Sequence, residues 1–408
     1  MMARQTLQDE DLLHEGLLNE NLLDEEKNRA TVEKNIEAGE KNRAVERYRE
    51  MPAGSVRYGL GIYPTYKEFS FEKFEEELKQ SELEFEQELP QDVKIYTLKN
   101  LPQQLYTAFF GKLVLPEQGD KLRALHYATL SELRFIHVPA NVKCMQPITL
   151  ATKHKRGSVA VHYIVLAEEN SCAIIQERVV SGLGAYALSS VHEFFMKKKA
   201  QMTYYHVTNL DLQMYHFNAT VVSLEEGSVL ETQEFCTGGK FVGHTYRVVH
   251  QGIHAHSKYG GAFLTPEQSE YDFFTESTHW GAQTESAIFL RGLVQDRAKV
   301  ITRSNIHIGP LARSTVSSER ADLLLLGEKA QGDAVPMLEV ENHDVQCSHG
   351  STVSRLNDEQ LFYVQSRGLS RDEAMQILCA AFLMPIIDTF PEEMREELRG
   401  KIESYLND

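Results

Sequence analysis

The sequence has no C-x-x-C pair, and its five cysteines, Cys144, Cys172, Cys236, Cys347 and Cys379, are scattered and odd in number. That argues against both a closed Cys-rich zinc site and a disulfide framework, and it fits a reducing compartment. There is no excess of positive charge either: 42 Lys and Arg against 59 Asp and Glu leave a formal net charge of −17. Such a chain repels phosphate backbones and anionic lipid, so nucleic acid and membrane are disfavoured as its main partner. The apolar run Cys379–Ile387 is short, holds Pro385 and falls below the ~20 residues that span a bilayer. Asp9, Glu10 and Asp11 stand near the start with no apolar stretch behind a basic opening, so no secretory signal is expected. Several catalytic signatures are missing: G-x-x-x-x-G-K-[ST], G-x-G-x-x-G after a strand, G-x-S-x-G and H-E-x-x-H. The expectation is a soluble cytoplasmic protein.

What is present is ordinary globular material, with 42% hydrophobic and 25% charged residues. At about 150 residues per domain, 408 residues predict two or three domains. Residues 1–50 read as a charged tail, partly disordered or helical. Leu12-Leu13, Leu17-Leu18 and Leu22-Leu23 recur every five residues, which is neither the helical nor the strand period. The sharper reading is a segment that folds on a partner through those pairs. Residues 51–130 form a mixed helical region. Phe71, Phe74 and Leu78 follow i, i+3, i+7, whereas Tyr96–Leu101 and Leu105–Leu113 read as short strands.

Residues 131–355 are mainly β. Val159, Val161, Tyr163 and Val165 alternate, and similar short strands follow, punctuated by Glu226-Gly227, Gly238-Gly239, Gly309-Pro310 and Gln331-Gly332-Asp333. About 200 residues of this texture predict a sandwich, a barrel or a β-helix. No fixed repeat period selects among them. Ser189–Lys199, with Phe194, Phe195 and three lysines, reads as a helical exception, although Tyr186-Ala187-Leu188 before it could be strand. Residues 356–408 form a small helical domain. Asn357 with Gln360 and Ser370 with Glu373 are capping boxes, Gly368 ends the first helix, Pro385 interrupts the second, and Pro391 opens the third. These helices either cover one end of the β region or form a docking module.

The densest polar cluster is residues 339–352. Cys347 and His349 are two apart, so an extended strand points them the same way with Cα atoms ~6.5–7 Å apart. Thiolate and imidazole suit iron or zinc. Two ligands do not close a tetrahedral site, so another segment or chain must add the rest. The plain alternative is a buried Cys beside a hydrogen-bonded His. A second cluster holds His244, His250, His254, His256 and His279. His254 and His256 share a strand face and could take a transition metal, or the histidines simply bond neighbouring turns. Asp322 and Glu339 with Arg303 would serve an enzyme of the β-helix polysaccharide lyase or hydrolase kind. A third reading is a metal-free assembly adaptor.

One stretch is specific enough to carry a family. Residues 337–369, Met-Leu-Glu-Val-Glu-Asn-His-Asp-Val-Gln-Cys-Ser-His-Gly-Ser-Thr-Val-Ser-Arg-Leu-Asn-Asp-Glu-Gln-Leu-Phe-Tyr-Val-Gln-Ser-Arg-Gly-Leu, resemble the C-terminal signature of the SufB/SufD family, with Cys-Ser-His-Gly in the SufD form. Val138–Ile148, His244–His250 and Phe289–Val294 support it, and the resemblance covers about residues 130–408. The sequence departs from the family pattern at His343, in residues 312–322, which lack a glutamine-rich run, and between Gly261 and Ile288, where an insert is expected.

The resemblance implies a right-handed parallel β-helix between helical ends, in a non-enzymatic scaffold subunit for nascent iron–sulfur clusters. It implies a SufB-like partner at the β-helix end and a SufC-like ATPase on the C-terminal helices, here Leu361, Phe362, Tyr363, Arg367, Ile377 and Phe382. It maps the interface imidazole to His349, with Cys347 beside it, holding a transient cluster or iron whose sulfur ligand comes from SufB. A flavin belongs, if anywhere, to the whole complex. Pairing of two copies in the absence of SufB is left open.

Overall fold

Alternating side chains along stacked strands build a parallel β-solenoid of about eight turns. The computed structural model describes residues 41–50, 69–115 and 121–407; the leucine pairs of the first 40 residues lie outside the described residues. Two short antiparallel strands begin the sheet: β1 (Glu82–Glu88) on β4 (Ile148–Ala167), and β2 (Lys94–Thr97) on β3 (Glu132–Val138). From β3 onward the pairing is parallel. The long strands β4 and β5 (Cys172–Met196) bend from one wall of the solenoid to the other. One wall then adds β6 (Gln201–Asn209), β8 (Val229–Thr237), β10 (His256–Thr265), β12 (Glu285–Val294), β14 (Thr315–Leu325) and β16 (Val345–Arg355). The facing wall adds β7 (Tyr215–Leu224), β9 (Phe241–His250), β11 (Glu270–His279), β13 (Lys299–Ile308) and β15 (Gln331–Val340).

Register is kept while coil length drifts. Tyr215 pairs with Phe241, whereas further along Lys299 pairs with Gln331, a visibly longer step along the chain. A repeat that varies this much leaves no fixed period in the sequence. Residues 262–287 are not an excursion: they complete one coil, with His256 paired to Glu285. The turn Gly238-Gly239 needs glycine, because Gly238 has φ +80 and a Cβ there would run into the Leu210 carbonyl oxygen.

Three apolar layers explain why so many strands are buried on both faces. The inner layer stacks Tyr163, Tyr204, Leu230, Tyr259, Phe263 and Leu290. The outer face of one wall carries Ile164, Val191 and Phe195 under Tyr106, Phe110, Val114 and Tyr127. The outer face of the other carries Phe235, Leu264 and Leu293 under Leu383, Phe390 and Leu398. Ser189–Lys199 is therefore not helix: Ser189–Met196 is strand, with Val191 and Phe195 facing out and Phe194 and Met196 facing in, and the three lysines lie in the turn after it. The reading of Leu105–Leu113 as strand is also corrected: α3 spans Gln103–Phe109 with Tyr106 buried beneath it, and the strand before it is only Lys94–Thr97. Gln331-Gly332-Asp333 opens β15 instead of forming a turn.

The remaining helices clasp the solenoid. Helix α1 (Lys41–Glu50) buries Ala44 and Tyr48 and packs on α4 (Lys121–Ala128); α2 (Phe71–Glu77) is capped by Ser70 and buries Phe71 and Phe74. At the other end α5 is Asp358–Gln365, α6 Arg371–Ile387 and α7 Glu392–Asn407. Ser370 and Glu373 close both bonds of a capping box. Asn357 caps α5 through the Glu359 N–H. Pro385 does not break α6; it sits inside the last turn of the helix.

Candidate functional site

The two ends of the solenoid differ. At the N-terminal end β1 and β2 cover the first strands. At the C-terminal end β15 and β16 are the last strands of their walls, and among the described residues no further coil lies above the side chains they turn inward. Leu338, Val340 and Val353 are exposed there.

Residues Val345, Cys347 and His349 alternate along β16, and Val345 and Cys347 pack toward Ile306, Ile308 and Ala312. Cys347 and His349 thus share the inner face, as their spacing predicts. Cys347 is half-buried and His349 is exposed. The neighbouring strand β14 pairs Ser317 with Cys347 and Glu319 with His349. Glu319 was not singled out from the sequence. Its signal is the alternation Ser317, Glu319, Ala321, which the burial pattern places on the inner face. The residue is 4% exposed. Burial pushes its carboxyl up to about 7 against a hydrogen bond from Ser304. Its Oε2 has no hydrogen-bond partner among the described residues.

The histidines fall into three settings. His254 lies in a turn at φ +60 and is exposed, and His256 opens β10 beside Glu285, 3.2 Å away. His250 and His279 lie inside, stacked with ring centroids 4.1 Å apart. Ser257 bonds His250 at 2.9 Å, and Thr284 and Ser286 bond His279 at 2.8 and 3.0 Å. Burial holds both imidazoles neutral, His250 down to about 4 and His279 to about 2.

His244 belongs to the third setting, an acid–imidazole cluster inside the solenoid. Glu177, His206 and Glu234 are neighbours on successive rungs of one wall. His192 reaches Glu177 at 3.2 Å, while His206 and His244 reach Glu234 at 3.1 and 2.9 Å. Tyr204 and Tyr259 donate to Glu177 and Glu234 at 2.7 and 2.5 Å. Burial works to raise Glu177, but His192, His206 and Tyr204 outweigh it and hold the carboxyl at about 2. Burial likewise opposes charge on Glu234 and His206, yet Glu234 is held low and His206 high by their partners. The row alternates acid, imidazole, acid, with each group hydrogen-bonded to its neighbours. Among the described residues no three His, Cys, Asp or Glu side chains converge to hold a metal ion.

The carboxylates of the enzyme reading are engaged separately. Asp322 accepts from Arg320 at 2.8 Å, with Arg291 3.9 Å away; Arg303 pairs with Asp272; Glu339 is exposed on β15. On the C-terminal helices Phe362, Tyr363 and Ile377 are exposed at 73%, 60% and 48%. Arg367 lies over the Tyr363 ring. Leu361, in contrast, is buried, and Phe382 is half-buried against Arg291, so these two face the protein. No described helix is long and apolar enough to cross a membrane.

Residues 149–382 match the family model described as the SufBD core domain of SUF-system FeS cluster assembly. An iron–sulfur cluster assembly SufBD family protein of Staphylococcus epidermidis is 26% identical over 86% of this chain and 75% of its own length. The iron–sulfur cluster assembly protein SufD of Bacillus subtilis is 27% identical over 76% of this chain and 72% of its own length.

Proposed function

The chain belongs to the SufBD family of iron–sulfur cluster assembly proteins, and from that premise we propose that it is a SufD-like, non-enzymatic scaffold subunit acting in the cytoplasm. Its open end takes a SufB-like subunit, and a nascent cluster forms where His349 meets that partner. Phe362, Tyr363, Arg367 and Ile377 receive a SufC-like ATPase, while Leu361 and Phe382 hold the helices that present them.

The observation that carries this reading is the uncapped inner wall at β16, where Cys347 and exposed His349 stand together with exposed Leu338, Val340 and Val353 around them. Thiol and imidazole are iron ligands, and two donors leave coordination positions open for sulfide and a partner's thiolate. Free strand edges and uncovered apolar side chains both favour a docked protein. The cluster is cargo, and a flavin, where one is used, is assigned to the complex. Asp322 and Arg303 are engaged with other partners and Glu339 stands exposed on β15, which disfavours the glycan-cleaving alternative.

The test is co-expression with a SufB-type and a SufC-type chain, followed by anaerobic reconstitution with iron and sulfide. The complex should assemble, and His349→Ala should lower cluster yield without breaking assembly. An unchanged yield removes His349 from the site. Phe362→Ala with Tyr363→Ala should release the ATPase and leave the SufB-like pairing intact.

A further inference from the structure

Building on the reading of the open end as the cluster site, we propose that Glu319 is the positioning residue of His349: its carboxylate accepts the N–H of one ring nitrogen and turns the other nitrogen out of the solenoid toward the metal.

The placement comes from register. β14 and β16 run parallel, and Glu319 is the residue directly across from His349. In-register parallel neighbours sit ~4.8 Å apart and project from the same face. Both side chains therefore occupy the inner wall, one rung apart, with His349 on the last rung. Glu319 is 4% exposed, and its Oε2 lacks a hydrogen-bond partner among the described residues. A buried, half-satisfied carboxyl is costly unless a donor completes it. Across the ladder, Cys347 lies opposite Ser317 and Ser351 opposite Ala321, so the imidazole is the side chain that register delivers to Glu319.

The chemistry also requires such a group. A metal-binding imidazole is held in one tautomer by an acceptor on its second nitrogen, commonly a carboxylate. His349 is exposed and stands on an edge strand, so among the described residues nothing above it fixes the ring until a partner docks. Glu319 is anchored from the facing wall, where Ser304 of β13 donates to its carboxyl. It can orient the ring beforehand and reduce the ordering cost of docking. The assignment does not enlarge the ligand set, consistent with the absence of a three-group metal site among the described residues.

The experiment compares wild type, Glu319→Gln, Glu319→Asp and His349→Ala in the reconstituted complex with SufB-type and SufC-type chains. Two quantities are read: the rate of iron loss to a chelator, and the nitrogen coupling to the reduced cluster by pulsed electron paramagnetic resonance. His349→Ala should remove the coupling. Glu319→Gln should keep assembly, change the coupling and speed iron loss about 10- to 100-fold; Glu319→Asp should recover part of the loss. If His349→Ala abolishes the coupling while Glu319→Gln matches wild type in both readings, the positioning role is wrong and the cluster site stands. If His349→Ala changes neither reading, the site assignment falls, and this inference with it. A Glu319→Gln protein that is merely less stable, with unaltered nitrogen coupling, also overturns the role.

Discussion

Replacing Glu193 should undock the N-terminal region from the solenoid. Glu193 sits on the outer face of β5 and is fully buried. Its carboxylate accepts the backbone N–H groups of Gly111, Leu113 and Val114 at 2.8, 2.6 and 2.8 Å. His162 reaches the same carboxylate at 2.9 Å, and His126 and Ser189 continue the chain at 3.2 and 2.9 Å. One side chain thus ties the segment after α3 to two strands of the wall. Glu193→Ala removes four partners at once. Gly111 and Val114 are buried, so water does not easily replace their acceptor, and Leu113 is half-buried. At about 1–3 kcal/mol for each stranded donor, the three backbone N–H groups alone cost about 3–9 kcal/mol. That is a large part of the ~5–15 kcal/mol that stabilises a typical domain. Glu193→Gln keeps one acceptor oxygen and should cost less. Urea unfolding by circular dichroism gives the free energy, and hydrogen exchange of residues 103–128 locates the loss. Trp280, the chain's one tryptophan, lies in the β11–β12 turn and reports the solenoid separately. If Glu193→Ala unfolds within about 1 kcal/mol of wild type, with exchange of residues 103–128 unaltered, the argument that this carboxylate anchors the region is wrong.

Two further outcomes follow from buried groups. His279 is neutral in the fold because burial holds it at about 2, so the unfolded chain takes up its proton first as pH falls below ~6.5. Its contribution is intact above that pH and falls by about 2 kcal/mol at pH 5; His279→Asn should shrink the stability difference between pH 7.5 and pH 5 by about that amount, measured by urea midpoints at both. Phe390, 2% exposed, lies tilted against Tyr205 with ring centroids 5.6 Å apart and joins the helices to the wall, so Phe390→Ala should cost about 3–5 kcal/mol and expose α6 and α7 to protease.

Strand alternation and turn glycines made the β region legible, and the C-terminal caps located all three terminal helices. The type of solenoid was not legible from periodicity, because coils of unequal length, from the short step Tyr215–Phe241 to the longer step Lys299–Gln331, blur any repeat. The 337–369 motif supplied that choice through resemblance. Ser189–Lys199 misled because a strand covered on both faces lacks the polar–apolar alternation that marks a half-buried strand, and adjacent Phe194 and Phe195 do not tell strand from helix. Leu105–Leu113 misled in the opposite direction: its aromatics serve a short helix docked on the wall. Spacing placed Cys347 and His349 on one face. It could not place Glu319, which lies a full coil earlier and meets His349 only through register. The same limit hid the cluster of Glu177, His206 and Glu234, whose members stand on three successive coils.

The open end also has a preferred side. Both final strands present an unpaired edge, but β15 carries Pro336 in its middle. Proline has no N–H to donate, and within a sheet it is tolerated on an edge strand, where it interrupts the row of groups offered to a neighbour. Strand β16 contains no proline, so the edge from Val345 to Arg355 offers an unbroken alternation of donors and acceptors. A strand arriving at this end therefore gains more hydrogen bonds on β16 than on β15. That is the edge whose inner face bears Cys347 and His349, so in the proposed function backbone docking and the metal-binding side chains fall on one strand. At the N-terminal end, in contrast, the first parallel strands are covered by the short antiparallel strands β1 and β2.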